Sequence, residues 1–475
     1  MSTESRPGIP AAPDAGTPTT VASSPEETVT PTVNELAALP PFPLPPDSGA
    51  GSPEKGVGRY GVRPRLLWGL LVANGFIWMT FFTPVLAAMP AKIKILSPEH
   101  YTSFYSLALT IATLFGLVSG PVAGHLSDRS GSRFGRRRPW LLGSMAVGVL
   151  GILTMGFAPS VTVFIVGAVL SQVGFGAVTA TQLSLLPEHV PAARRGSVGG
   201  LLGVSVAVST IIGVVITGGL TGAGHVELAF VAVAVIGTAG VVFLVTGVPD
   251  PVYRRSPVRL TPLDLAKSFY INPRKHPDFA WGWLSRFMVY LSMATITTYQ
   301  LFYLGDQLGI PAGRAESFYV PLSTATQVLT TVIGAIVGGP LSDKFGRRKP
   351  FVALAAGLAG VGLVCLALAT TVPLFLVGIL MIGFAGGIYA SVDIALMTAI
   401  LPNELKDAGK NLGVLNIANS LPNTLAPAFA PALLTIGFFS MAVTNNGRNY
   451  TMLFLGSAIF AVISVSSVLK IRSVR

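Results

Sequence analysis

The chain has 475 residues, of which 51% are hydrophobic and only 11% charged, yet it carries a net charge of +12. Soluble proteins average about 25% charged residues, and the apolar residues here run in blocks of the roughly 20 residues that span a bilayer as a helix. A soluble enzyme, a disordered chain and a disulfide-built secreted domain are therefore excluded, the last also because Cys365 is the single cysteine. What remains is an integral membrane protein.

Residues 1–60 read as a disordered cytoplasmic tail. Within 1–54 there are seven acids, one base and 12 of the 36 prolines, so the rest of the chain carries +18. Such a composition has too little apolar surface to fold. It also lacks the charged start and apolar core of a cleavable signal, so the first hydrophobic helix is expected to act as an uncleaved insertion signal.

From Leu66 onward twelve spans are predicted, at about 66–88, 102–124, 140–158, 161–186, 197–220, 227–248, 280–304, 316–339, 351–370, 373–400, 411–438 and 450–470. They divide into a six-helix bundle at 61–248, a linker at 249–279 and a second six-helix bundle at 280–475. Their glycines are tolerated because helical backbone bonds stay within each span and small residues permit close packing. Orientation follows from Lys and Arg in the flanks. With the tail inside, 26 of these residues flank cytoplasmic ends, against only Lys92, Lys94, Arg314 and Arg448 on the other side. Both termini are expected in the cytoplasm. The linker mixes six basic residues with Leu263, Leu265, Phe269 and Tyr270; it fits either a short amphipathic helix on the anionic inner leaflet or a solvated connection.

The chain repeats itself. Gly124-His-Leu-Ser-Asp128-Arg129 recurs as Gly339-Pro-Leu-Ser-Asp343-Lys344, and Leu186-Pro187 as Leu401-Pro402, both at an offset of 215. Phe134-Gly135-Arg136-Arg137 recurs as Phe345-Gly346-Arg347-Arg348 at 211, so the first copy holds four extra residues. Each copy lies between the second and third spans of a half on one membrane side, which implies parallel repeats about an axis along the membrane normal.

This doubled Gly-x-x-x-Asp-Arg/Lys…Gly-Arg-Arg pattern resembles the signature of the major facilitator superfamily. The longer first copy, together with the stretches 269–287 and 409–423, is similar to the sucrose transporter and glycoside–pentoside–hexuronide cation symporter branch. The resemblance covers residues 60–475 and implies an all-α fold of twelve transmembrane helices in two parallel six-helix repeats, working by alternating access. It further implies that Asp128 docks on the start of span 11 when the inside is closed, with Arg129, Arg136 and Arg137 holding the loop. Physically, a carboxylate there can accept backbone N–H bonds at a helix N-terminus. The plainer reading of both loops (Gly124, Asp128, Arg129, Gly135, Arg136, Arg137 and Gly339, Asp343, Lys344, Gly346, Arg347, Arg348) is orientation and lipid-phosphate contact. His125, one turn before Asp128, reads as a structural partner of the loop.

Charges inside spans are rare and costly. Only Arg286 in span 7 and Asp393 in span 10 lie well inside, each about six or seven residues from its inner end and so roughly 10 Å deep. Since spans 1, 4, 7 and 10 surround the cavity in the superfamily, an Arg286–Asp393 pair is expected. Desolvation favours a neutral acid and a neighbouring arginine favours the ion, so making and breaking the pair can move a proton. A permanent fastener between two helices is the rival reading. The position 215 before Asp393 is Val178, and span 1 offers Asn74 where some relatives carry an acid or histidine. Asp306, Glu316 and Glu227 fall at outer ends and are expected to face water.

A sugar site needs amides for hydroxyls and an aromatic face for ring C–H groups. Candidates are Asn74 and Trp78 on one face of span 1, Gln172 and Gln182 in span 4, Tyr299 and Gln300 in span 7, and Asn416 and Asn419 in span 11. Taken singly, each reads more simply as an interhelical hydrogen bond; Asn74, Trp78 and Gln172 taken together fit both readings. No nucleotide motif, metal cluster or nucleic-acid signature is present. The expectation is a monomeric secondary transporter of the plasma (inner) membrane, surrounded by lipid and needing no cofactor. It takes up a sugar or glycoside with a proton or monovalent cation. Proton-driven efflux of a drug or metabolite is the alternative, weakened by the absence of proline from 203–219.

Overall fold

The computed structural model describes residues 64–128, 130, 134–191, 194–247, 274–400, 408–435 and 448–472. The expected tail, residues 249–273 of the linker, Arg129 and Leu401-Pro402 lie outside them. Every regular element among the described residues is helical. The first half comprises α1 (Pro64–Leu86), α2 (Ala88–Leu96), α3 (Tyr101–Asp128), α4 (Arg138–Gly156), α5 (Val161–His189), α6 (Arg195–Gly222) and α7 (Val226–Gly247). The second comprises α8 (Pro277–Asp306), α9 (Val320–Phe345), α10 (Lys349–Leu368), α11 (Val372–Ile400), α12 (Ala408–Thr435) and α13 (Tyr450–Leu469). A single turn, Ala312–Arg314, and a π-helical turn, Ala315–Tyr319, lead into α9.

Local sequence explains several boundaries. Ser160 accepts from the Val163 amide at 3.4 Å and starts α5, and Asn449 accepts from the Met452 amide at 3.0 Å and starts α13, each satisfying an N–H that the helix leaves unpaired. Proline opens α4, α8 and α10, where its missing N–H costs nothing. Gly346 ends α9 at φ 61° and Gly135 turns the first signature loop at φ 101°, conformations that a Cβ disfavours. The first span is longer than expected, because α1 and α2 run on as one apolar stretch, Pro64–Leu96. Lys92 on α2 is buried and bonds Glu227 of α7 at 3.0 Å.

Among the described residues, ten helical stretches are long and apolar enough to cross a membrane. The other two expected spans, α8 and α12, have 30 and 28 residues, so length is not what sets them apart. They carry more polar residues, and on α8 these are turned into the protein: Ser285, Arg286, Ser292, Thr295, Tyr299 and Gln300 are buried. By contrast Leu150, Val235, Ile336 and Val462 lie more than half exposed, the outward apolar face that lipid requires.

The packing repeats as the sequence does. In the first half α3 and α4 pack on α5, α4 on α7, and α1 on α6 and α7; in the second α9 and α10 pack on α11, α10 on α13, and α8 on α12 and α13. Between halves, α3 meets α12 and α6 meets α9, the pairing that a rotation exchanging the halves demands. Glycines set the register. A Cβ on Gly151 would fall 2.6 Å from the Gly167 carbonyl, and one on Gly362 would fall 3.0 Å from that of Gly378. Both residues shift by 211, so α5 and α11 align at 211. The partner of Asp393 in the first half is therefore Gln182, not Val178. The Leu-Pro dipeptide does not share this register, since Leu186 lies inside α5 opposite Met397 of α11.

Candidate functional site

α8, α11 and α12 bring together the charges that sequence placed inside spans. The Arg286 Nη1 donates to Asp393 Oδ2, and its Nε donates to Asn419 Oδ1 at 2.8 Å. Asp393 is 1% exposed and Arg286 8%, so this is a desolvated pair. Its guanidinium lies 5.8 Å from the Tyr290 ring centroid, and Tyr290 meets Tyr389 edge-on at 5.9 Å. Tyr389 stands one turn before Asp393 on α11. Neither its hydroxyl nor Asp393 Oδ1 has a hydrogen-bond partner among the described residues. Sequence reasoning missed Tyr389; the signal was its i, i+4 spacing from the buried acid.

The structure sorts the substrate candidates. Asn74 is occupied, donating from Nδ2 to Leu202 O at 3.1 Å and Ser205 Oγ at 3.2 Å on α6. Gln182 donates to Leu70 O of α1 at 3.2 Å, and Tyr299 shares a hydrogen bond with Ser106 of α3. These three fasten helices. Trp78 is half-buried, edge-on to Phe175 at 5.3 Å, and Gln172 is half-buried beside Gly116. Gln300 is buried with its Nε2 unpartnered among the described residues. Asn419 is held by Arg286, and the side chain of Asn416 lies outside the described residues. Asn74, Trp78 and Gln172 thus do not act alike.

At the end where α3 begins and α8 finishes, polar contacts join the halves. Asp306 Oδ2 accepts from Tyr101 at 2.5 Å and from Tyr450 at 2.7 Å. Arg448 Nη1 donates to the Tyr101 hydroxyl at 2.6 Å, with its guanidinium 4.0 Å from that ring's centroid. The expectation that Asp306 and Glu316 face water is corrected. The Asp306 side chain is 3% exposed beneath Tyr101, Tyr450 and Arg448, and Glu316 is 8% exposed because α6 glycines let the turn before α9 approach. A Cβ on Gly218 would lie 2.2 Å from Glu316 O. Glu227 keeps a 45% exposed side chain.

The two signature copies differ at the opposite end. Gly124 and Asp128 lie on the last turns of α3; the Asp128 side chain is outside the described residues. Arg137 is 3% exposed, bonds Ser127, and with Arg136 clamps Glu188 of α5. Glu188 was missed because it follows α5's apolar run as one more flank charge. In the second copy Asp343, Lys344, Gly346 and Arg347 are exposed and Arg348 half-buried. Asp343 accepts from the Gly346 amide through its backbone carbonyl at 3.2 Å. Of the basic residues next to it, Lys349 reaches the Ile471 carbonyl on the end of α13. His125 is half-buried at the same end.

The Major Facilitator Superfamily profile matches residues 67–328 and 283–474. The chain belongs to the Major Facilitator Superfamily. It is thus a multi-pass membrane protein of a transporter superfamily, in the all-α superfamily fold. An uncharacterized MFS-type transporter of Mycobacterium tuberculosis is 34% identical over 160 residues, 34% of this chain but only 22% of that protein's length. The general alpha-glucoside permease of Schizosaccharomyces pombe is 40% identical over 67 residues, 14% of this chain and 12% of its own. Tetracycline resistance protein class C of Escherichia coli is 24% identical across 80% of this chain and 90% of its own. Among solved structures, an inward-facing, unoccupied bacterial homolog of the human lysosomal transporter Spinster shares the fold at 18% identity and a TM-score of 0.66, covering 87% of this chain and 98% of its own. Within the superfamily frame, the charged cluster sits on α8 and α11, the seventh and tenth spans.

Proposed function

We propose that this superfamily member imports a sugar or glycoside together with a proton, as in the sucrose transporter and glycoside cation symporter branch, with Arg286 and Asp393 as the coupling pair. The observation that carries the reading is a buried ion pair with one carboxylate oxygen left over by the arginine, placed between α8 and α11. A mere fastener has no use for an unpartnered acid oxygen, since each such group costs about 1–3 kcal/mol. Trp78 and Gln172 on the first half and Gln300 on the second supply the aromatic face and free amides that a sugar needs. The basic flanks support a plasma membrane placement with both termini cytoplasmic, and the signature end then faces the cytoplasm.

Purified protein in liposomes, given a panel of sugars under an imposed pH gradient, tests this. Accumulation of a sugar down the proton gradient is expected, and Asp393→Asn should abolish uphill uptake while leaving exchange. If Asp393→Asn still concentrates substrate, coupling does not run through this pair. A second reading, proton-driven export, has one observation in its favour: the tetracycline resistance protein aligns over most of the chain, the glucoside permease over a short part. Gradient-driven movement of a dye in the opposite direction would establish it.

A further inference from the structure

We propose that Glu316 is a proton-binding site in the seam between the halves, neutral when that end is closed and ionised when it opens. A lower pH at that end then drives closure. The site lies at the opposite end of the bundle from Arg286 and Asp393 and does not rest on their coupling role. The seam is backbone against backbone. On α6, Gly218 meets the π-helical turn that carries Glu316, and Gly222 meets the single turn before it. A Cβ on Gly222 would fall 2.5 Å from Gly313 O, and one on Gly313 would fall 2.9 Å from Gly222 O. Such π-turns are rare and gather at functional sites.

Glu316 is 8% exposed, and nothing offsets that burial. Among the described residues no group donates a hydrogen bond to its carboxylate and no cation pairs with it; the charge that reaches it is Lys94 of α2, across the seam. Lys94 is itself exposed and stands 5.2 Å over the Tyr101 ring. The other charged and titratable groups nearby are engaged elsewhere. Arg314 lies 5.8 Å from the Tyr319 ring, and at the end of α8 Tyr299 bonds Ser106, Tyr303 bonds backbone carbonyls and Asp306 accepts from Tyr101. Neither α6 from Gly213 to Gly222 nor α9 before Asp343 carries a titratable side chain. A carboxylate withdrawn from water without a partner takes a proton rather than stay charged. The new O–H forms with a solvent proton, and nothing is oxidised or reduced. Parting the halves pulls the turn from α6 and returns the acid to water, where the ion is favoured. Protonation and closure are thus linked, and each favours the other to the same degree.

The test is the distance between spin labels at Pro159→Cys and Thr370→Cys, exposed loop positions at this end of each half, in a Cys365→Ser background. The full chain is placed in liposomes. Between about pH 5.5 and about pH 8 the ratio of open to closed distances should rise about tenfold, the effect of one unit in proton affinity. Glu316→Gln, neutral at every pH, should hold that ratio near its acid value. A rise that persists unchanged in Glu316→Gln overturns the inference, as does a parent whose distances ignore pH. A response that survives Glu316→Gln but vanishes in Asp393→Asn belongs to the coupling pair, so the coupled reading stands and this one falls. A response lost in Glu316→Gln and kept in Asp393→Asn supports the inference even if coupling through Asp393 fails. Should Glu316→Gln not insert, Glu316→Met, also uncharged, takes its place with the same expected outcomes.

Discussion

Opening the end of the bundle at which α3 begins and α8 finishes requires the halves to part there, and the contacts to be broken are known. Tyr101 of the first half donates to Asp306 at 2.5 Å and accepts from Arg448 at 2.6 Å. Arg448 also reaches Thr102 Oγ1 and Glu99 O, each at 3.3 Å. Tyr101→Phe deletes the first two bonds and keeps the ring under the guanidinium. Hydrogen bonds to charged groups contribute about 1.5–3 kcal/mol each. Tyr450 still serves Asp306 at 2.7 Å, and opening restores water to every group, so the net loss for the closed end is taken as about 2 kcal/mol for both. That is roughly a 30-fold shift in the open-to-closed ratio. A reporter Thr110→Cys in a Cys365→Ser background lies roughly 13 Å along α3 from Tyr101. Its labelling by a membrane-impermeant maleimide, added at this end, should accelerate by tens of fold in Tyr101→Phe and in Asp306→Asn. Labelling at the parental rate in both variants would refute the assignment of this cluster as the clasp between halves.

Other perturbations follow from the same geometry. Asp393→Asn leaves a buried guanidinium with no opposing charge, a loss of about 3–5 kcal/mol; Arg286→Met combined with Asp393→Leu should recover most of it, read as thermal unfolding in detergent. Gly174→Leu should abolish folded protein, because its Cβ would sit 2.3 Å from the Gly148 Cα, backbone that cannot yield, whereas Gly143→Ala meets nothing within 4 Å and should express normally. Glu188→Gln removes the charge that Arg136 and the buried Arg137 clamp, and initial uptake by equal amounts of protein should fall well below that of Asp343→Asn, whose carboxylate is exposed. Asp128→Asn should slow turnover while insertion is unchanged; an unchanged rate would return the signature to an orientation signal.

Spans and repeat were legible because bilayer crossing writes itself in long apolar blocks and duplication in matching loops. The Arg286–Asp393 pair was legible for the same reason, since a charge in such a block is conspicuous. Hydrogen-bond choices were not. Asn74 and Gln182 fitted either a sugar or an interhelical bond, and their amides go to Leu202, Ser205 and Leu70; an amide in the sequence does not announce which neighbouring carbonyl it will meet. Asp306 read as solvent-facing because it ends a span, and its burial depends on Tyr101 and Arg448, which lie 205 and 142 residues away in sequence. The offset of 215 misled for a local reason: the four extra residues of the first signature copy set α4 and α5 at 211 from α10 and α11.

That corrected register changes what the duplication means. The packing scheme of the two halves is the same, but the chemistry at equivalent helices is not. On α1, α5 and α6 the first half has neutral groups, with Asn74 bonded to Ser205 and Gln182 bonded to backbone. On α8, α11 and α12 the second half has Arg286, Asp393 and Asn419. Amides already satisfied by carbonyls and a hydroxyl of neighbouring helices lose little by staying put, which favours a first half that holds its arrangement. A desolvated acid beside an arginine is stable only in context, and its balance changes whenever water or a proton reaches it. The signature loops divide in the opposite sense, with the buried Arg137–Glu188 clamp in the first half and exposed residues in the second. A symmetric scaffold whose halves carry different polar chemistry at each level can hold one half fixed while the other responds, which is what a coupled transporter requires of two bundles that rock about one site.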